Sequence, residues 1–498
     1  MSQAEAVYAA FQQVFTPICL LAIFLGSLWG IIIGALPGLG SILAITIAIP
    51  FTYSLGQAAA IALLLGVYCG SVYGGCISAI LINTPGTPAS AATCFDGFPM
   101  AQQGKAAEAL GWATGASVIG GLFSCVVLIL CGPRLADFAM QFGPIETFAL
   151  ILMALTCIGS ISTGNIVAGL FSGIVGLFIV IIGADPISGD MRFTFGIFRL
   201  SAGFDLVSVV VGIFALSEVL SRAAEYITGK PPRVQYTRMR FAPPHEWWRR
   251  RVVLLKACVI GSAVGIMPGT GSSTAAFLAY AEAKRSSPNR ANMGKGEPDG
   301  VIASEASNNA VTGGALVPTL ALGLPGDGVT AVMLATLVLH GITPGFRLMT
   351  DNPVTVYAAF IALFLANLVM APQGALVARL FAKLVRIPEP VLMGMVVIMC
   401  LLGTYGIRSS AFDLFVTLGM GVFGFIFRAF GMPIAPLVIG MVLGTQFEMS
   451  LRQGLLQTRG SFSAFFYGHP IAVGLFILAG IILAGPFAKA GYSKWRMR

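Results

Sequence analysis

The sequence carries little charge: Asp, Glu, Lys and Arg make up only 10% of its 498 residues. Hydrophobic residues make up 57%, and the mean hydropathy is +0.88, so no soluble fold would bury so much apolar surface. Uncharged stretches such as 147–163, 166–184, 354–371 and 471–488 have lengths that suit membrane helices and not barrel strands. The composition therefore predicts an all-α polytopic membrane protein.

The signatures of enzymes and metal sites are also missing. Neither HExxH nor GxSxG occurs, and the glycine-rich stretches lack the Lys of a phosphate loop. The nine cysteines show no CxxC spacing, which favours small buried residues over metal ligands or redox pairs. We therefore expect no enzyme, no metal site and no cofactor apart from a coupling ion.

Basic residues outnumber acidic ones and give the chain a net charge of +9. In a soluble protein this excess would suggest nucleic acid, but here Lys and Arg fall almost entirely in the predicted loops. This placement indicates charges that orient helices in a lipid bilayer, so no nucleic-acid partner is expected. Residues 1–17 contain no Lys or Arg, so the basic start of a cleaved signal peptide is not evident.

One short stretch occurs twice, as GALPGLGS at 34–41 and GIMPGTGS at 265–272. Each copy interrupts an apolar run with one Pro and closely spaced Gly, which allows one helix to end and another to begin within a few residues. Each copy therefore predicts the tip of a helical hairpin.

A second pair follows, NTPGTPAS at 83–90 and GLPGDGVT at 323–330. Aligning Pro85 with Pro325 also brings Gly74 and Gly75 to within one residue of a second Gly pair, 313–314, so order and spacing are repeated. The sequence thus predicts two related halves, 1–221 and 252–498, joined by a basic linker at 222–251.

Basic residues decide the predicted topology. The linker 222–251 carries eight Lys or Arg and should be cytoplasmic, as should the basic stretch 284–299. The hairpin between them has arms too short to cross comfortably, so it is predicted to be re-entrant from the cytoplasm. Counting helices outward places the first hairpin on the opposite side. The halves are then inverted repeats, each with a re-entrant hairpin and a broken helix, with about eleven to twelve crossings in all.

Broken helices predict a binding site. Unwound backbone survives in hydrocarbon only where it lines a cavity or meets protein, and paired half-helix N-termini favour an anion while free carbonyls favour a cation. Hydroxyl side chains follow each break: Ser41, Thr87, Ser90, Ser272, Ser273, Thr274 and Thr330. Taken one at a time they are also ordinary helix caps. Together they point to a transporter of a small anion.

Polar side chains inside the apolar segments are the other candidates. Asn83, Asn308 and Asn309 require partners there and serve either as interhelical hydrogen-bonding groups or as ligands. Glu305 and Asp327 are the nearby carboxylates, to be read as cation ligands or proton carriers, although Asp327 is equally a plausible helix cap. No Arg lies within any of the four breaks.

These motifs resemble the large permease subunit of the tripartite tricarboxylate transporters, the TctA family. The resemblance rests on GALPGLGS with YGGCISAILINTPGTPAS, on GIMPGTGS with ASEASNNAVTGGALVPTLALGLPGDGVTAV, and on RFTFG at 192–196 with GIFALSE at 212–218. The family motif positions in this sequence are Pro37, Gly38, Gly40, Ser41, Asn83, Thr84, Pro85, Gly86, Pro268, Gly269, Thr270, Gly271, Asn308, Asn309, Pro325, Gly326 and Asp327.

The resemblance implies a bacterial inner-membrane protein that works with a small four-helix membrane subunit and a periplasmic solute-binding protein. It also implies uptake of a carboxylate substrate driven by an ion gradient of Na⁺ or H⁺. A stand-alone carboxylate symporter is the alternative, and a channel or assembly subunit is a third class.

Motifs and chemistry together give the expected site. The expected substrate-binding residues are Gly38, Gly40, Ser41, Asn83, Thr84, Gly86, Thr87, Gly269, Thr270, Gly271, Ser272, Asn308, Asn309 and Gly326, and the expected cation-coupling residues are Glu305 and Asp327.

The inverted topology is tested by cysteine accessibility in a background without the native cysteines. A cysteine at Ser2 should label from the periplasm, and cysteines at Arg238 and Asn289 only after permeabilisation. Labelling of the first and last positions from the same side would contradict the topology.

Overall fold

A computed structural model describes residues 3–161, 166–225, 239–384 and 387–496, and these are almost entirely helical. The first helices are α1 (Gln3–Val14), α2 (Pro17–Ala35), α3 (Gly40–Thr52), α4 (Gln57–Ile82), α5 (Ala91–Gln102), α6 (Ala106–Ala139), α7 (Pro144–Ile161), α8 (Ile166–Val180), α9 (Leu206–Val210) and α10 (Ser217–Glu225). A π-helical segment, Val211–Leu216, joins α9 to α10.

The remaining helices are α11 (Pro244–Arg249), α12 (Arg251–Ile266), α13 (Gly271–Ser286), α14 (Pro298–Leu322), α15 (Gly328–Leu339), α16 (Leu348–Asp351), α17 (Pro353–Leu384), α18 (Glu389–Arg408), α19 (Ala411–Ala429), α20 (Ile434–Gln457) and α21 (Pro470–Arg496). Two short strands, β1 (Gly183–Ala184) and β2 (Met191–Arg192), pair antiparallel. The all-α class is confirmed.

Within the described residues, seven helical segments are long and apolar enough to cross a membrane. They are Pro17–Ala35, Gln57–Ile82, Ala106–Ala139, Leu206–Ala224, Pro353–Phe381, Ala411–Ala429 and Ile434–Gln457. Six shorter apolar helices accompany them. The chain is therefore a multi-pass membrane protein, while the number of crossings and the inversion of the two halves remain predictions.

Helix boundaries fall where the Pro and Gly pairs predicted them. The two hairpin tips separate α2 from α3 and α12 from α13, and the two breaks separate α4 from α5 and α14 from α15. The arms of the second hairpin have 16 residues each, about 24 Å of helix against a core of about 30 Å. α2 has 19 residues and is long enough to cross, so a re-entrant first hairpin stays a prediction.

The chain forms two compact units. Unit 1 comprises residues 1–136 with 221–407, and unit 2 comprises 137–220 with 408–498. Each unit draws residues from both predicted halves, because the repeat boundary and the unit boundaries lie at different places in the chain. The repeats at 1–221 and 252–498 are defined by similarity of sequence and not by spatial contacts. The compact units therefore do not test them, and the repeats stay a prediction.

In unit 1, α2 packs closely on α4 through glycines on both helices. A Cβ at Gly30 would lie 2.4 Å from the carbonyl oxygen of Val67, and one at Gly70 would lie 2.3 Å from that of Ser27. Small residues let membrane helices approach until their backbones touch. This contact positions the first hairpin against the first broken helix.

In unit 2, a charged network holds the β1–β2 turn against α20. Asp185 accepts hydrogen bonds from the backbone N–H groups of Ile187 and Ser188 at 2.8 and 3.2 Å. Arg192 and Arg452 both form ion pairs with its carboxylate, at 2.6 and 3.0 Å. These interactions hold the pKa of Asp185 well below its usual range. The hydrogen bond from the Ile187 N–H has the largest effect, and the Ser188 N–H and the two arginines add to it.

Replacing Gly30 with Ala tests the α2–α4 contact. The added methyl group would meet the α4 backbone, which cannot rotate away, so we expect a loss of about 1–3 kcal/mol in stability and a lower melting temperature in detergent. Gly394→Ala on α18 is the matched control, because a Cβ there meets nothing within 4 Å and Ala favours a helix. Equal melting temperatures for both variants would contradict the close approach.

Candidate functional site

The two hairpin tips have the same backbone conformation at corresponding positions. Gly38 and Gly40 in the first tip have φ of +76° and +71°, and Gly269 and Gly271 in the second have +83° and +70°. Residues other than glycine rarely adopt this left-handed region, which explains why the repeated motif has glycine at these positions. The second glycine of each tip begins the following helix, α3 or α13.

The two breaks also match. The C-cap residue of α4 is Asn83, with φ of 54°, and that of α14 is Gly323, with φ of 69°. These are the positions that align when Pro85 is placed on Pro325. Three residues later a glycine packs back onto its own helix, where a Cβ at Gly86 would lie 2.9 Å from the Cα of Gly75 and one at Gly326 would lie 2.6 Å from that of Ala315.

Each hairpin meets the break of its own half. The backbone N–H of Gly269 donates to the carbonyl of Gly326 at 2.8 Å. In the first half, the carbonyl oxygen of Gly34 lies 1.9 Å from where a Cβ on Gly86 would be. In the second half, a backbone N–H at the hairpin tip is therefore satisfied by the break, and in the first half the two backbones are in close contact.

Within unit 1, elements of one predicted half also contact elements of the other. α3 contacts α15, and α13 contacts the 3-10 turn Pro88–Ser90 that follows the first break. At the far end of α3, Thr52 Oγ1 is 3.1 Å from His340 Nε2 at the end of α15. All four interruptions predicted from the sequence thus belong to one compact unit.

Exposure differs between the two breaks. Asn83 and Thr84 are exposed, whereas every residue from Gly323 to Asp327 is buried. The loop after α15 covers the second break: the N–H of Gly345 donates to the carbonyl of Leu320 at 3.1 Å. Open space also lies beside both tips, since a Cβ at Gly40 or Gly271 would meet nothing within 4 Å.

Several of the predicted hydroxyls are used in local hydrogen bonds. Thr87 and Ser90 pair with each other at 2.9 Å, and Thr270 donates to the carbonyls of Val264 and Met267 at 2.5 and 2.9 Å. These bonds fix the turns themselves. Ser41 and Ser272 lie in the first turns of α3 and α13, beside the open space at each tip.

Asp327 forms the predicted helix cap and one further contact. Its Oδ1 accepts from the backbone N–H of Thr330 at 2.8 Å, and the Thr330 hydroxyl and the Asp327 N–H complete a capping box. Its Oδ2 accepts from the hydroxyl of Tyr68 on α4 at 2.6 Å. The carboxylate therefore joins the second break to the first broken helix.

Glu305 is fully buried in α14 and has only neutral hydrogen-bond donors. The hydroxyl of Thr93 on α5 donates to Oε1, and that of Ser117 on α6 donates to Oε2 at 3.1 Å. In the described part of the chain, no Lys, Arg or His forms an ion pair with it. A buried carboxylate in this setting is costly unless a proton or a cation compensates its charge.

Asn308 and Asn309 lie inside α14, one turn after Glu305, and are fully buried. Asn308 Nδ2 donates to the carbonyl of Val72 at 3.3 Å, and Asn309 Nδ2 donates to the carbonyl of Glu305 at 3.2 Å. They precede the break at Gly323 by fourteen or fifteen residues, about 21 Å along the helix. Substrate contact by these two residues stays a prediction.

Sequence reasoning missed an arginine at the first tip. Arg222 Nη1 donates to the carbonyl of Pro37 at 3.3 Å, and a Cβ on Gly38 would lie 1.9 Å from Nη2. No Arg lies within any of the four breaks in the sequence. Folding nevertheless places Arg222 against the first tip, 185 positions away from Pro37 along the chain. No local pattern would have shown it.

Asp96, on α5, is a second residue that the sequence did not single out. Its Oδ1 accepts from the N–H groups of Gly294, Gly296 and Glu297 at 2.8, 2.9 and 2.8 Å. Its Oδ2 accepts from the Tyr280 hydroxyl at 2.9 Å. This buried carboxylate fastens the helix after the first break to the loop between α13 and α14.

Comparisons with known proteins address the whole chain. The family model described as "Tripartite tricarboxylate transporter TctA family" matches residues 20–439. An "Uncharacterized 52.8 kDa protein in TAR-I ttuC' 3'region" of Agrobacterium vitis is 32% identical over 476 residues, which cover 95% of this chain and 94% of that protein. An "Uncharacterized protein in TAR-II ttuC' 3'region" of the same organism is 33% identical over 215 residues, 43% of this chain and 88% of that protein. No solved structure matches the chain.

Replacing Asp96 with Ala should leave three backbone N–H groups without their acceptor and cost about 3 kcal/mol or more. Asp96→Asn keeps an acceptor oxygen and should cost much less. We expect a lower melting temperature and faster tryptic cleavage after Lys295 in the Ala variant. Asp351→Ala, at an exposed carboxylate in unit 1, is the control. Unchanged cleavage in Asp96→Ala would show that the loop is held by other contacts.

Proposed function

The chain belongs to the tripartite tricarboxylate transporter TctA family, and on that basis we propose that it is the large membrane subunit of a binding-protein-dependent uptake system for small carboxylates. Its partners in this proposal are a small membrane subunit and a periplasmic solute-binding protein, and its location is the bacterial inner membrane. It acts as a transporter and not as an enzyme. The observation that carries the proposal is the family match across most of a multi-pass helical chain.

The geometry of unit 1 supports an anionic substrate. Helices α3 and α13 each begin at a glycine that has open space beside it. Unpaired N–H groups at a helix N-terminus attract a carboxylate. Ser41 and Ser272 add hydroxyl donors in the first turn of each helix. Arg222 brings a positive charge to the first tip, which the sequence had not located.

Residues of the two breaks complete the proposed substrate site. Asn83 and Thr84 are exposed at the first break, where a side chain can reach a ligand directly. Gly86 and Gly326 hold the backbone of each break against its own helix and so act by shaping the site. Selectivity among di-, tri- and other carboxylates is assigned in part to the binding protein.

Ion coupling is assigned to the buried carboxylate that lacks a charged partner. Glu305 contacts α5 through Thr93 and α6 through Ser117, so a change in its charge would alter how the helix after the first break is held. Asp327 has its acceptor positions used by the capping box and by Tyr68. Its role as a cation ligand stays a prediction, and its capping role is the simpler account.

Reconstituted uptake tests the proposed function. Proteoliposomes that contain this chain and the small subunit should accumulate the carboxylate only when the binding protein is present and an ion gradient is imposed. Candidate substrates are first identified as ligands of the binding protein encoded beside this chain. Equal uptake by the chain alone would establish the stand-alone symporter, and non-saturable flux would indicate a channel.

The same assay separates the two carboxylates. Glu305→Gln keeps the shape of the side chain but removes its charge, so gradient-driven uptake should fall at least tenfold while expression stays normal. Asp327→Asn should retain the wild-type ion dependence, because Asn caps a helix about as well as Asp. If Asp327→Asn alone loses ion dependence, the coupling site belongs at the second break.

A further inference from the structure

Three buried asparagines in unit 1 have side-chain carbonyl oxygens without a hydrogen-bond partner. They are Asn308 and Asn309 on α14 and Asn367 on α17, all fully buried. A buried amide oxygen without a partner is costly in an apolar interior, and a few such groups per chain require an explanation. Their side-chain N–H groups, by contrast, all donate to protein atoms.

The acceptors of those N–H groups fix the orientation of each amide. Asn309 Nδ2 donates to the carbonyl of Glu305, and Asn367 Nδ2 donates to the carbonyl of Leu363 at 2.8 Å. Turning either amide over would place two oxygens against each other. The carbonyl oxygens of Asn309 and Asn367 therefore point away from the backbone carbonyls that accept from their own N–H groups, and that of Asn367 lies against Gly121 on α6.

Contacts among four helices bring these three asparagines to one level of unit 1. On α6, Ser117 bonds Glu305, and Ser124 Oγ accepts from the N–H of Gly313 at 3.1 Å. Asn309 lies midway between those two contacts along α14. Midway along the facing stretch of α6 is Gly121, which packs directly against the Asn367 amide.

The fourth helix, α4, closes the other side of this level. The carbonyl of Val72 accepts from Asn308, and Cys69, one turn earlier, lies 3.6 Å from Asn367 Nδ2. α4, α6, α14 and α17 thus surround a layer of three buried asparagine side chains, and two of these, Asn308 and Asn309, lie one turn from Glu305 on α14. Apart from Glu305, no charged side chain contributes a hydrogen bond to this layer in the described residues.

We propose that this layer is a binding site for a single Na⁺ ion, with Asn308, Asn309 and Asn367 as carbonyl ligands and Glu305 as the compensating charge. The inference rests on the proposed ion-coupled transport and names its ion and ligands. Hard cations prefer carboxylate and amide oxygens. One carboxylate among neutral ligands balances one positive charge, whereas divalent sites gather several carboxylates.

Two other occupants fit the layer less well. A proton would neutralise Glu305 but would leave the three carbonyl oxygens without a partner. A substrate carboxylate would be repelled by carbonyl oxygens that present negative ends to it. The cation accounts for both the unpaired oxygens and the uncompensated carboxylate, and it gives the Asn pair of the sequence motif a role inside α14.

Direct ion binding tests this proposal without any transport step. The full chain is purified in detergent, and binding of radioactive Na⁺ is measured at equilibrium against choline and K⁺, with melting temperatures recorded in the same salts. Wild type should bind Na⁺ saturably and melt at a higher temperature in Na⁺ than in choline. Asn309→Ala and Asn367→Ala should each weaken Na⁺ binding by about tenfold or more, and Glu305→Gln should weaken it further.

Gln373→Ala is the matched control. Gln373 is a buried amide on α17 with an equally unpaired oxygen, but its N–H group donates to the carbonyl of Phe24 on α2, a helix that is not part of the layer. Its loss should leave Na⁺ affinity unchanged. Should an Ala variant fail to yield monodisperse protein, Asn309→Asp and Asn367→Asp keep an oxygen ligand and should retain Na⁺ binding.

The proposal is overturned if wild type shows no Na⁺-specific binding, as expected for a proton site or a water-filled layer, or if the Asn and Glu305 variants bind Na⁺ like wild type. Binding-protein-dependent uptake driven by H⁺ alone would leave the proposed function intact while removing this ion site. Saturable Na⁺ binding, together with uptake that does not depend on the binding protein, would support this ion site and contradict the proposed function.

Discussion

Every peptide group that leaves a helix inside hydrocarbon needs a partner from the protein, and this constraint governs the construction of unit 1. The chain meets it by placing each hairpin against the break of its own half. The Gly269 N–H reaches the Gly326 carbonyl, and the Gly34 carbonyl presses on Gly86. A Cβ on Gly86 or Gly326 would meet backbone atoms, so glycine is required at the same position of each break.

Local patterns were enough to predict the elements. Pro and Gly spacing located both tips and both breaks, because those residues act through their own backbone angles. Hydropathy predicted the helical membrane class. The structure adds that the aligned positions Asn83 and Gly323 share a left-handed conformation.

Long-range partners were beyond the reach of such patterns. Nothing near Arg222 indicates that it will rest on the first tip, and nothing in α5 indicates that Asp96 will collect three backbone N–H groups from a loop about 200 positions later. Asn367 is a polar residue in an apolar stretch, and its neighbours in the sequence do not indicate its contacts with Cys69 and Cys125. These roles depend on which helices pack together, and the compact units do not follow the predicted halves of the sequence.

The hydrogen bonds between Asp96 and the loop that joins α13 to α14 have a practical consequence for protein engineering. That loop is polar, rich in glycine and largely exposed, which are the usual marks of a place that accepts an epitope tag or an inserted domain. Three closely spaced donors on one carboxylate oxygen, however, fix both the length and the path of the segment 294–297. An insertion there would separate donors that must converge on a single atom, so fusion partners belong elsewhere on the chain.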